Sequence, residues 1–182
     1  RDTEWIYQRF RILGERTWDH LFTSKNWQNV PFDSFRETWI EELAARELVK
    51  ENLFLYCSHC PVGCVESFRD REGKRYQTGQ HTAKVGALCL IDDLPMLQNC
   101  YDLCQRSGMD SVSLGAVMAF GMEAFERGLI TREDTDGLDL VWGNAEAVMR
   151  LTEAIGSARG FGRRMGEGVR RLALSLGKEA ER

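Results

Sequence analysis

The chain has 182 residues, of which 43% are hydrophobic, 29% charged and 10% aromatic. These proportions allow one ordinary domain or two small ones, with a sizeable apolar core, and they exclude wholesale disorder. The 24 basic and 28 acidic residues leave a net charge of −4, which argues against a dedicated nucleic-acid binder. No apolar run approaches the roughly 18 residues that a bilayer span needs, so no membrane partner is expected. Nothing at the polar start marks secretion, so a reducing cytoplasm is the expected compartment.

The first 52 residues predict two helices. Apolar residues between Trp5 and Trp18 recur at spacings of three and four, which is typical of an amphipathic helix. Asn, Pro and Ser in residues 24–35 predict a loop. A second helix is predicted from Ser34 to Asn52, because Ser34 and Glu37 form a capping box. We expect residues 1–52 to form N-terminal helices, and residues 53–182 a cysteine loop, a hairpin and a helical bundle, within one compact domain overall.

The remainder of the chain predicts one hairpin followed by helices. Residues 65–68 and 74–78 flank a Gly-containing turn, which favours two short antiparallel strands. Capping residues, Pro95 and terminal glycines then delimit helices over residues 94–106, 113–127, 144–155 and 161–176. The predicted fold class is therefore mainly α, a helical domain with a cysteine-rich loop and a short β-hairpin.

Three cysteines crowd into eight residues, in the motif Cys57-Ser-His-Cys60-Pro-Val-Gly-Cys64. Thiolates this close repel one another unless they share a cation, and an iron–sulfur cluster offers each thiolate a different iron. A zinc site completed by a histidine is the alternative, although the chain has no second C-x2-C pair. A zinc-stabilised helical interaction module without catalysis therefore stays open beside a redox protein.

The other three cysteines are candidates for a fourth ligand. Cys100 and Cys104 lie four residues apart on a predicted helix, and small buried core residues are the favoured interpretation of both. Cys89 lies in an apolar run and suits either a ligand or the core. The fourth cluster ligand is therefore either one of these cysteines or a thiolate outside this chain.

The ordered set of motifs resembles the aldehyde:ferredoxin oxidoreductase family, the tungsten or molybdenum bis-pterin enzymes. The resemblance runs from about Asn26 to Gly177 and rests on five segments: CSHCPVGC, GMDSVSLG, AFGMEAFERGLIT, GLDLVWGNAEA and RGFGRRMGEGVR. It implies that the chain is the central helical portion of a larger enzyme. It also implies that Cys57, Cys60 and Cys64 hold a [4Fe–4S] cluster beside the tungsten or molybdenum bis-pterin.

The resemblance also implies a pterin-binding corner. The family holds one pterin with D-x-x-G-L-D, which matches Gln105 to Asp110 here and gives Gln105, Gly108 and Asp110 as cofactor-binding residues. The first acidic residue of the motif is replaced by the neutral Gln105. A literal copy of the motif at residues 134–139 matches a different family landmark, and we interpret it as a structural turn.

Two further positions bear on the implied chemistry. Where aldehyde-oxidising members carry a glutamate near the metal, this chain has residues 79–83, GQHTA, in a predicted loop, and His81 is the candidate proton carrier. The resemblance also makes Cys89 a candidate metal ligand, because it lies in the neighbourhood of the cysteine that the benzoyl-CoA-reductase-like branch uses for this role. The implied function is an oxidoreductase that couples two-electron chemistry on an aldehyde or related acyl substrate to the cluster and to ferredoxin or an electron-transfer subunit. Reduction of an aromatic acyl-CoA is the alternative, and a homo-oligomer is compatible with both.

Overall fold

The computed structural model describes residues 24–28, 49–51, 66–69, 72–73, 75–78 and 80–180. The first predicted helix, most of the second and the three clustered cysteines lie outside these residues. The described residues form one small sheet followed by six helices. The strands are β1 (Val49–Glu51), β2 (Glu66–Arg69) and β3 (Arg75–Thr78). The helices are α1 (Gln80–Cys89), α2 (Leu94–Ser107), α3 (Ser111–Glu126), α4 (Ala145–Gly156), α5 (Gly160–Met165) and α6 (Val169–Leu176).

The hairpin prediction is confirmed, and the sheet gains a third strand. β2 and β3 pair antiparallel with Phe68 opposite Tyr76, and β1 pairs antiparallel with β2. The prediction of helix at residues 49–51 is therefore wrong, because pairing with β2 supplies backbone partners that override the local helical pattern. The division at residues 52 and 53 stays a prediction, and β1 pairs across it.

Helix ends marked by capping residues agree with the sequence. Asp93 caps α2 by accepting from the Met96 amide at 3.0 Å, with Pro95 in the first turn. Asn144 caps α4 by accepting from the Ala147 amide at 3.1 Å. The predicted single helix over 161–176 is wrong, because it breaks at Gly166 to Gly168, where Gly168 has a φ of 88°. Such a left-handed φ suits glycine and does not continue an α-helix.

The core lies between α1, α2, α3 and α4, with α5 and α6 closing one side. Its largest fully buried side chains are Leu88, Leu97, Met118, Met122, Ile130, Leu140, Val148, Leu151, Met165 and Leu172. Close backbone approach joins α1 to α3, because a Cβ on Gly115 would lie 3.0 Å from the Lys84 carbonyl. Within the part of the chain that is described, no helix combines the length and the apolar character that a membrane crossing requires.

Candidate cofactor-binding site

The corner between α2 and α3 carries the three predicted pterin-binding residues. Gly108 ends α2 in the left-handed region, with a φ of 66°, and its amide donates to the Cys104 carbonyl. The Asp110 carboxylate then caps α3 by accepting from the Ser113 amide at 2.7 Å. The corner is therefore fixed by the end of one helix and the start of the next.

This corner opens onto the surface. Gln105, Gly108 and Asp110 are all exposed, and a Cβ built on Gly108 would have nothing within 4 Å. A flat ligand could thus approach the backbone at Gly108 without displacing a side chain. The arrangement offers an amide, a carboxylate and a bare stretch of main chain on one rigid turn.

The carboxyl end of α4 packs closely against this corner. A Cβ on Gly156 would lie 2.9 Å from Ser107 Oγ and 3.4 Å from Met109 Cε. The small residue lets the end of α4 approach the corner closely. Sequence reasoning did not assign Gly156 this role, although a glycine at a helix end is a recognisable signal.

Cys89, a predicted metal ligand, is fully buried at the end of α1. Its thiol donates to the Gly115 carbonyl of α3 at 3.9 Å, and burial raises the pKa of the thiol well above its usual value. Backbone amides of Asn26 and Gly143 donate to the carbonyls of Leu88 and Cys89, which anchors this end of the helix. The packing is that of a core residue, and the ligand role stays a prediction.

His81 lies in the first turn of α1, so the loop predicted there is wrong. The apolar residues of α1 pack against α3. This packing stabilises a helix that the local sequence does not predict. Cys57, Cys60 and Cys64 lie outside the described residues, and their role as cluster ligands stays a prediction. Among the residues that the structure does describe, no group of three His, Cys, Asp or Glu side chains is placed to hold a metal.

Cys100 and Cys104 are buried core residues, as predicted. Burial raises the pKa of Cys100 to about 11 and that of Cys104 to about 12. Both thiols are therefore protonated near neutral pH. The described cysteines form no disulfide.

The second D-x-x-G-L-D copy forms a structural turn. Asp134 accepts from the Thr131 amide at 2.8 Å, and this hydrogen bond holds the pKa of the Asp134 carboxyl below its usual value. Asp136 accepts from the Phe161 amide at 2.7 Å at the start of α5. Asp139 pairs with Arg132 at 3.3 Å. The acidic groups of this copy thus serve the local turn and the α5 terminus, unlike the open corner at Gly108.

The described residues define a predominantly helical domain with a small antiparallel sheet, and its candidate cofactor residues lie at an exposed corner between two helices. Comparison with known proteins then gives the family. Residues 17–182 match the family described as "Aldehyde ferredoxin oxidoreductase, domains 2 & 3", and the chain belongs to this family.

Relatives of known name agree with this assignment. The tungsten-containing aldehyde ferredoxin oxidoreductase of Pyrococcus furiosus is 32% identical over 163 residues, which cover 86% of this chain and 26% of that protein. Its counterpart in Pyrococcus horikoshii is 34% identical over 161 residues, covering 84% and 26%. The aliphatic sulfonate oxidoreductase, WOR-like subunit, of Pyrococcus furiosus is 33% identical over 159 residues, covering 84% and 25%. The chain thus spans about a quarter of the length of these relatives.

A solved structure shares the fold. The active site complex BamBC of benzoyl coenzyme A reductase, in complex with 1,5-dienoyl-CoA, superposes with a TM-score of 0.67 at 20% identity. The match covers 96% of this chain and 26% of that one. It confirms the predicted mainly helical class.

Proposed function

We propose that this chain is the central helical part of a tungsten- or molybdenum-pterin oxidoreductase. The whole enzyme would carry out two-electron chemistry on an aldehyde or a related acyl substrate. Electrons would pass singly through a [4Fe–4S] cluster to ferredoxin or to an electron-transfer subunit. The observation that carries this proposal is the family match over residues 17–182, which includes the three-cysteine motif and the exposed corner.

The residues at the corner fit a pterin. A pterin ring presents N–H donors along one edge, and the Gln105 amide oxygen and Asp110 carboxylate are acceptors. Gly108 leaves the main chain open to a flat ring, since no atom lies within 4 Å of the position of an added Cβ. The missing charge at Gln105 weakens one contact but keeps a hydrogen-bond acceptor. Gln105, Gly108 and Asp110 would therefore hold one pterin of the pair.

Other residues of this chain would serve the redox centre. Cys57, Cys60 and Cys64 would hold three irons of the cluster, and the fourth thiolate would come from another part of the protein. When bound, the pterin-held metal supplies the two-electron chemistry, and the protein supplies orientation and electrostatics. His81, in the first turn of α1, would hold or release a proton near neutral pH, in place of the carboxylate that residues 79–83 lack. A reducing cytoplasm suits both the cluster and the buried free thiols.

Reduction of an aromatic acyl-CoA is the second candidate. The absence of a carboxylate in residues 79–83 favours it, as does the fold shared with the benzoyl coenzyme A reductase complex. The two candidates differ in substrate and in the direction of electron flow. Assays of the full-length enzyme with an aldehyde plus oxidised ferredoxin, and with an aryl-CoA plus a low-potential reductant, separate them.

The cluster assignment is tested by Cys60→Ala in the full-length protein, purified without air. We expect loss of the brown absorption near about 400 nm and of most of the iron. Cys104→Ala is the matched control, since it removes a buried core thiol and should keep the chromophore. An unchanged spectrum and iron content in the Cys60 variant would refute the assignment. Zinc in place of iron would support the interaction-module alternative.

A further inference from the structure

Three sulfur atoms meet where α2 packs against α4. Cys100 Sγ lies 3.4 Å from Met96 Sδ, one turn earlier on α2, and 3.6 Å from Met149 Sδ on α4. Thr152 Oγ1, also on α4, lies 3.7 Å from the same sulfur. Cys100 and Thr152 are fully buried and Met96 is 9% exposed, whereas Met149 is half-buried and gives the cluster a route to solvent.

This sulfur cluster holds more acceptors than protons. The Thr152 hydroxyl donates its proton to the Val148 carbonyl at 2.7 Å, so its oxygen presents lone pairs to Cys100. The single proton of Cys100 therefore faces two thioether sulfurs and one hydroxyl oxygen. One proton satisfies one of these acceptors, so sulfur lone pairs remain available to a soft metal ion.

We propose that Cys100, Met96 and Met149 form a binding site for a soft monovalent cation, Cu(I). Thiolate and thioether sulfur select Cu(I) among the biological metals. The charge of the ion follows from burial. A monovalent ion that replaces the thiol proton leaves the net charge of the site unchanged, whereas a divalent ion would add an uncompensated buried charge.

The two sulfur–sulfur separations from Cys100 need only a small adjustment. Three sulfurs around one ion at metal–sulfur distances of about 2.3 Å would lie about 4.0 Å apart. The two observed separations from Cys100 Sγ are 3.4 and 3.6 Å. Rotation about the flexible methionine side chains provides such a change.

The binding step balances without a redox partner. The S–H bond of Cys100 and the Cu–S bond to the carrier thiolate break, a Cu–S bond to Cys100 forms, and the proton passes to the released carrier thiolate. Copper enters and remains as Cu(I), delivered in the reduced state as a complex with a small thiol. The two thioethers donate lone pairs and lose nothing.

The test is an anaerobic titration of the full 182-residue chain with Cu(I) against a colorimetric Cu(I) chelator. To remove competition from the other thiols, the chain carries serine at three positions: Cys57, Cys60 and Cys64. We expect one Cu(I) per chain and a rise in melting temperature, because an ion held by both helices stabilises their contact. Met149→Leu should lower the affinity at least about tenfold, and Cys100→Ser should abolish binding.

Met122→Leu is the matched control. It changes a fully buried methionine of α3 in the same way and should leave Cu(I) binding intact. If the serine-substituted chain does not melt like the parent, the same comparison is made in the parent chain, where Cys100→Ser should lower the stoichiometry by one equivalent. Equal affinities for the parent, Met149→Leu and Cys100→Ser chains would overturn the proposal. Loss of binding in Met122→Leu as well would also count against it, since the effect would then be one of general packing.

Discussion

Asp110 is assigned two roles, and two substitutions separate them. Its carboxylate caps α3 through the Ser113 amide at 2.7 Å, and it is the acidic residue that closes the proposed pterin motif. Asp110→Ala removes both the cap and the charge. Asp110→Asn keeps a good N-cap residue and removes only the charge.

The expected magnitudes follow from the cap. Loss of an N-cap hydrogen bond costs about 1 kcal/mol of the free energy of unfolding. For a chain of this size, that corresponds to a fall of about 2–4 °C in melting temperature. We expect this fall in Asp110→Ala and little change in Asp110→Asn, measured by circular dichroism. In the full-length enzyme, we expect both variants to lose tungsten or molybdenum, measured by elemental analysis.

Asp139→Asn is the matched control, because Asp139 closes the second D-x-x-G-L-D copy and pairs with Arg132 on the surface. It should keep the full metal content and nearly the parent melting temperature. If Asp110→Asn binds as much metal as the parent, while Asp110→Ala is merely less stable, Asp110 is a helix cap and the pterin assignment fails.

Two further predictions concern stability. Gly162→Ala should destabilise the fold by about 1–3 kcal/mol in chemical denaturation, because its Cβ would lie 2.4 Å from the Ala154 carbonyl carbon. Gly166→Ala is the control and should be nearly neutral, because its Cβ would meet nothing closer than 3.4 Å. Equal effects of the two substitutions would contradict the close contact of α4 and α5. The hydrogen bond from Lys25, at 3.0 Å, lowers the pKa of the Glu126 carboxyl, so its stabilisation is present above the usual glutamate pKa and is lost as the pH falls through the lowered value. In Lys25→Met, nuclear magnetic resonance titration should show the pKa of Glu126 rising towards its usual value, and an unmoved pKa would refute this ion pair.

Local signals in the sequence predict much of the helical part. Asp93 with Pro95 and Asn144 mark helix starts because their side chains and ring geometry act on the adjacent backbone. Gly128, with a φ of 68°, similarly marks the end of α3. Such signals need no knowledge of the tertiary structure, so sequence reasoning finds them.

The local sequence does not predict the elements that depend on contacts with distant parts of the chain. α1 contains Gly86 and β-branched residues and has no marked cap, and its close packing at Gly115 of α3 comes from a segment about 30 residues away. β1 depends in the same way on its pairing with β2. Both are cases in which tertiary contact decides the local conformation.

The candidate site was predicted in part. The positions of Gln105, Gly108 and Asp110 come from the resemblance, and the sequence alone does not show that Asp110 also caps α3. The support by Gly156 and the sulfur cluster around Cys100 both depend on how α4 packs on α2. No single-sequence pattern encodes that packing, since the partners lie about 50 residues apart.

The metal content of the full-length protein, purified without air, tests the central claim most directly. We predict about four irons per polypeptide together with tungsten or molybdenum, because the proposed enzyme carries both a [4Fe–4S] cluster and a metal-pterin centre. Zinc alone, or iron without either heavier metal, would contradict the assignment of this chain to a pterin-dependent redox enzyme.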